Sequence, residues 1–271
     1  MDNDDRARRR INLASGAIAS RGVLVPDPAT WASVYGLFET VVSFLCEDGY
    51  LVSLLDSSVP MEARALRCKP GAFSELRKSA VLGSSVFVEI DGWTSVPIWA
   101  QEFPALPDAS AVASGLSVLG STLAEYRELG SLCGTGIWAR KFAELKNRRD
   151  FPACVAGMGP GTTPAGDDFI AGWLLAEHVC NPLDRTPVPD SVFGKTSPAG
   201  RTLLYQCLQG QFPELYLEFA RAFVSGSKDM TEQAATAVTR HGATSGFDAL
   251  FGFYTRLAGE DGLITGFSAT A

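Results

Sequence analysis

The chain has 271 residues, 46% of them hydrophobic and 20% charged, with a formal net charge of −7. That length and balance suit a folded protein with a sizeable core, and the negative sign argues against nucleic acid or an anionic membrane as partner. Six cysteines with no CxxC pair, beside only two histidines, argue against a structural zinc site and fit buried thiols in a reducing compartment.

The N-terminus carries Arg8-Arg9-Arg10 before a short apolar stretch broken by Asn12, Ser15 and Gly16. It faintly imitates a signal peptide, but the break favours a flexible basic lead-in to the first strand and a cytoplasmic protein. No apolar run reaches bilayer length.

Residues 37–45 and 50–55 read as strands around a Glu47-Asp48-Gly49 turn. Residues 86–90 form a further strand, and Asp91-Gly92 predicts a hairpin into a strand over 93–98. Pro104 to Pro107 marks a boundary, giving a β-rich portion over 1–108 and a helical portion over 109–271. The predicted helices run over 111–129, 138–147, 164–179, 198–208, 213–224, 231–240 and 246–257. The fold class is therefore α+β: a β-rich N-terminal sheet or small barrel packed on a helical C-terminal portion.

One segment concentrates site-like chemistry. Residues 157–168 hold four glycines, two prolines, two threonines and the doublet Asp167-Asp168, directly before a strongly apolar helix. Gly157, Gly159 and Gly161 let backbone approach a ligand closely. Thr163 and Pro164 read as N-cap and first helical residue, so the amides between Thr162 and Gly166 point at the loop and attract an anion. An acidic first turn alone merely complements the helix dipole, by about 0.3–1 kcal/mol per carboxylate. Neighbouring carboxylates about 4 Å apart repel by roughly 4 kcal/mol near a surface, which something must offset. A Mg²⁺ ion held by Asp167 or Asp168 and bridging to phosphate is one answer. A ligand with its own N–H donors is the other, and a carbamoylated molecule offers both an anionic end and an NH₂ end.

Two further features bear on that segment. Residues 196–201 repeat the hydroxyl-Pro-Ala-Gly-charge order of 162–167. Either both are simply good helix starts, or both helix ends face one ligand, with Arg201 adding positive charge. The stretch His241-Gly242-Ala243-Thr244-Ser245-Gly246-Phe247-Asp248 is the second candidate. Ser245 with Asp248 resembles a capping box, and His241 suits a helix C-terminus. In the functional reading His241 is a proton donor or anion ligand, closing the site with Ser245 and Asp248.

The segment Gly157 to Gly172 resembles the signature of a bacterial family of uncharacterised domains that includes AllH, a subunit assigned to oxamate carbamoyltransferase in allantoin breakdown. Residues 241–252 resemble that family's second signature, with Arg240 where a glycine is usual. The resemblance implies AllF-like and AllG-like protein partners, and exchange of a carbamoyl group between an oxalurate-type amide and phosphate. On this reading Asp167, Asp168 and His241 are the catalytic candidates.

Overall fold

The computed structural model describes residues 9–26, 30–124, 131–134 and 136–265. It is α+β, as expected. Two compact units divide the chain, residues 1–101 and 102–271.

The first unit holds one seven-stranded sheet. Its strands are β1 (Arg9–Ala14), β2 (Ile18–Arg21), β3 (Thr30–Leu37), β4 (Val41–Cys46), β5 (Leu51–Leu55), β6 (Ala65–Cys68) and β7 (Ser85–Asp91), in the spatial order β1-β7-β3-β4-β5-β6-β2. The β1–β7 and β5–β6 pairs are parallel, and the other pairs are antiparallel. Alternation along β4 and β5 sends Val42, Phe44, Cys46, Val52 and Leu54 to one apolar core. Gly49, at φ 81°, turns β4 into β5. Buried Arg64 pins that turn through Nη2 to Asp48 Oδ2 at 2.7 Å and Nε to the Leu51 carbonyl at 3.0 Å.

Three local expectations are corrected. The run over 37–45 is two strands joined by a tight turn, because Phe38 N–H donates to the Val41 carbonyl at 2.8 Å. The segment after Gly92 is a 3₁₀ turn over Trp93–Ser95 rather than a strand. Arg9 and Arg10 belong to β1 itself and not to a lead-in, while residues 1–8 lie outside the described residues. One short helix, α1 (Ala72–Ser79), has no counterpart in the sequence reading.

The second unit is helical: α2 (Ala109–Ala124), α3 (Ile137–Leu145), α4 (Ala165–Cys180), α5 (Pro198–Leu208), α6 (Glu214–Val224), α7 (Lys228–Thr239) and α8 (Ser245–Thr265), the last interrupted at Gly259. The expected extension of α2 over 125–129 lies outside the described residues. Helix α4 is the centre of this unit, and buried residues cover nearly its whole length. Hence the sequence shows no polar stripe there.

Two glycines bring α4 and α8 together. A Cβ at Gly172 would stand 1.8 Å from the Ala249 carbonyl oxygen, and one at Gly252 1.9 Å from that of Phe169. Only bare backbone permits so close a crossing. Around it Phe142, Phe169 and Phe251 pack with ring centroids 5.0–5.5 Å apart. At the far end of α4, buried Glu177 accepts from Trp173 Nε1, the Thr186 amide and Arg256 Nε, which ties α4 to α8 a second time.

Candidate functional site

The site is built where the glycine loop enters α4. Gly157, Gly159 and Gly161 all adopt positive φ, at 74°, 103° and 105°. A side chain at these positions is strained whatever the space around it. Their surroundings differ. A Cβ at Gly157 would meet the Lys195 carbonyl oxygen at 2.0 Å, so there the close approach is to the chain's own backbone. At Gly161 the nearest atom is looser, the Thr163 carbonyl oxygen at 3.2 Å, and Pro160, Gly161 and Thr162 are exposed.

The head of α4 differs from the expected cap. Pro164 is itself the N-cap residue, and no side chain caps the helix. The Thr163 hydroxyl turns instead to Ser245, with the two oxygens 3.1 Å apart. The Gly166 amide donates to the Met158 carbonyl at 2.8 Å, so Gly166 is withdrawn from the expected set of anion donors. The amides of Gly161, Thr162 and Thr163 donate to no acceptor among the described residues. These bare donors lie in the loop just before α4, with Gly161 and Thr162 exposed and Thr163 half-buried, and the helix N-terminus behind them favours negative charge.

Asp167 and Asp168 part company. Asp167 is fully buried and satisfied at both oxygens: Gly157 N–H donates to Oδ1 at 2.8 Å, and the Thr196 hydroxyl donates to Oδ2. Burial lifts its pKa to about 6 against the pull of those two donors. The Ser197 hydroxyl donates to the Thr162 carbonyl and accepts from the Gly200 amide at 2.9 Å, capping α5. The two similar helix starts therefore adjoin. Gly200 is required there, since a Cβ would fall 2.0 Å from Asp167 Oδ2. Arg201 spends its Nε on the Phe193 carbonyl at 3.0 Å.

Asp168 faces the other motif. It is 2% exposed, and its Oδ2 has no hydrogen-bond partner. Burial first, and the charge of Asp248 second, hold its pKa well above the usual carboxylate range; the Ser245 and Thr163 hydroxyls oppose this. Asp248 is fully buried. Its Oδ1 accepts from the Ser131 hydroxyl and the Leu132 amide, both at 2.7 Å, while its Oδ2 is likewise unpartnered. Burial raises Asp248 to about 7, and the Ser131, Leu132 and Thr244 donors pull the other way. Asp248 is thus a buried acceptor for the 131–132 segment, not the carboxylate of a capping box.

His241 follows α7 and is exposed at its surface, while partial burial of its ring holds the imidazole pKa below the usual value; its amide donates to the Val238 carbonyl at 2.9 Å. Among the described residues, no group of three or more His, Cys, Asp or Glu is arranged to hold a metal ion. The Mg²⁺ ion expected at Asp167 or Asp168 would meet one carboxylate whose oxygens each already accept a hydrogen bond and another with an unpartnered Oδ2. None of the helices among the described residues is long and apolar enough to cross a membrane.

The sequence reading missed Ser131, Thr196 and Gly200. The echo of one helix start in the other was the available signal for the last two. Nothing in the sequence pattern marks Ser131.

The geometry defines an α+β protein whose helical unit brings two glycine-and-aspartate motifs together at the crossing of α4 and α8. The family model described as Oxamate carbamoyltransferase subunit AllH matches residues 155–257, a span that takes in both motifs. The resemblance drawn from the two signatures is thereby shown over that span. No solved structure matches the chain.

Proposed function

We propose that this chain is a subunit of an oxamate carbamoyltransferase, and that its Gly161–Thr163 turn binds the anionic end of a carbamoylated substrate or of carbamoyl phosphate. The observation that carries this reading is the run of unused amides over Gly161–Thr163, just ahead of α4 and beside the contact between the two motifs, with Gly161 and Thr162 exposed. Such a row suits phosphate or carboxylate without any cation. The family match supports the same reaction class.

In that reaction a phosphate oxygen attacks the carbamoyl carbon of an oxalurate-type amide. The carbon–nitrogen bond breaks, and the departing nitrogen takes up the proton that phosphate loses. The turn orients the anion and offsets charge as the new bond forms. Asp167 acts indirectly by bracing the loop against the start of α5. His241, exposed beside the second motif, is the outer proton donor or anion ligand. AllF-like and AllG-like subunits complete the assembly, which works in the cytoplasm.

Reconstitution tests this. The chain is combined with AllF-like and AllG-like subunits, and phosphate-dependent formation of carbamoyl phosphate from an oxalurate-type amide is followed. Activity that requires this chain is expected. Full activity with the chain left out would refute the assignment.

A further inference from the structure

Among the described residues of the helical unit, two carboxyl oxygens are buried with no hydrogen-bond partner, Asp168 Oδ2 and Asp248 Oδ2. They come from the two motifs and from the two helices that cross on bare glycine backbone. Unpartnered buried carboxylate oxygens are costly, and two like charges in one dry site are costlier still. A single proton between the two residues removes both costs. The surroundings of the pair hold donors: Ser131 and Leu132 donate to Asp248, and the Thr163 and Ser245 hydroxyls, 3.1 Å from one another, favour the charged form of Asp168. Thr163 and Ser245 are themselves only partly buried, and Thr163 directly follows the exposed turn.

We propose that Asp168 and Asp248 hold one proton in common, and that the Thr163 and Ser245 hydroxyls connect it to the turn at the head of α4. The pair is then the proton reserve of the site. This last step rests on the carbamoyl-transfer reading given above. A hydroxyl passes its proton to the departing nitrogen and is refilled from the dyad. The dyad regains a proton from the attacking phosphate hydroxyl, so none is gained or lost overall. Asp168 and Asp248 act through the hydroxyls and are positioning residues for the transfer. Asp167 also acts on the pair and raises Asp168 further. Both pKa shifts point the same way as the geometry, since burial holds each carboxyl toward its neutral form.

The test is carboxyl-carbon NMR of the full chain labelled at aspartate, titrated with pH. In the wild type, two coupled steps are expected, with one of the two carboxyls still protonated near neutral pH. In Asp248→Asn the Asp168 step should move down by about one pH unit or more, because the like charge is gone. Thr163→Val and Ser245→Ala should move the Asp168 step up, because each removes a donor to the charged form. Two carboxyls charged near neutral pH, or a step in Asp168 that ignores its neighbour, would overturn the shared proton. An Asp168 step unmoved by either hydroxyl variant would overturn the connection to the turn. These outcomes are read without substrate, so a failure of carbamoyl phosphate to bind counts against the proposed function and not against the dyad.

Discussion

Thr163 at the end of the glycine loop and Ser245 at the head of α8 stand hydroxyl to hydroxyl, 3.1 Å apart, across 82 residues of chain. This contact joins the two motifs at the surface. Two buried carboxyls, Asp168 from the first motif and Asp248 from the second, lie in the interior. The consequences differ for each layer of the site.

The glycines at the helix crossing are the least replaceable residues in the unit. Gly172→Ala would place a methyl group 1.8 Å from a carbonyl oxygen, and Gly252→Ala would do so at 1.9 Å. Each is expected to destabilise the chain by about 3 kcal/mol, at the upper end of overpacking costs. Chemical unfolding would show a lower midpoint, and a midpoint unchanged from wild type would contradict the crossing.

Stability should fall as pH rises through neutrality. An unfolded aspartate ionises at about 3.9, whereas Asp167 and Asp248 in the folded chain are raised to about 6 and about 7. Between those limits the folded chain keeps protons that the unfolded chain has released, so the folded state is favoured at the acid end of the window. Thermal melts at pH 5 and pH 8 are expected to show the lower melting temperature at pH 8. Asp168→Asn should flatten the difference and raise the pH 8 value, because the amide is neutral throughout.

Much of this site was legible in the sequence, and for physical reasons. A glycine-rich loop before a strongly apolar helix has few uses other than a tight entry into a buried element, and α4 is that element. The second motif drew notice through His241, Ser245 and Asp248, and two of those three meet the first motif. What stayed hidden depends on tertiary contact. The sequence does not say that Asp167 would be consumed by Gly157 and Thr196, or that Asp168 alone would face Asp248. Ser131 lies 117 residues from the carboxylate it serves. In the sheet unit, the turn over 38–40 lies between apolar flanks and carries no Gly or Pro, so two strands read as one run.

The far end of α4 offers a structural control. Arg256 Nε lies 2.9 Å from buried Glu177 Oε1, and its Nη2 lies 2.7 Å from Asp184 Oδ2. Arg256→Leu leaves Glu177 with its Trp173 and Thr186 donors but no counter-charge. A loss of about 3 kcal/mol is expected from unfolding curves, as when one partner of a buried ion pair is removed. Ligand affinity at the opposite end of the helix should be unaffected in the folded fraction.

The loop brace makes a separate prediction. Asp167→Ala deprives the Gly157 amide and the Thr196 hydroxyl of their shared acceptor. The expected cost is about 2 kcal/mol, with faster amide exchange confined to the loop and the start of α5. Uniform loosening of the whole helical unit would argue for a different role.

The most direct measurement is calorimetric titration of the full chain with carbamoyl phosphate, beside a Gly161→Val variant. Gly161 is exposed, and its φ of 105° is one a valine resists, so the variant misplaces the turn while α4 stays packed. The account predicts saturable single-site binding in the wild type and its loss in the variant, with unfolding of the two chains otherwise similar. An absence of binding in the wild type, or equal binding in both chains, would contradict it.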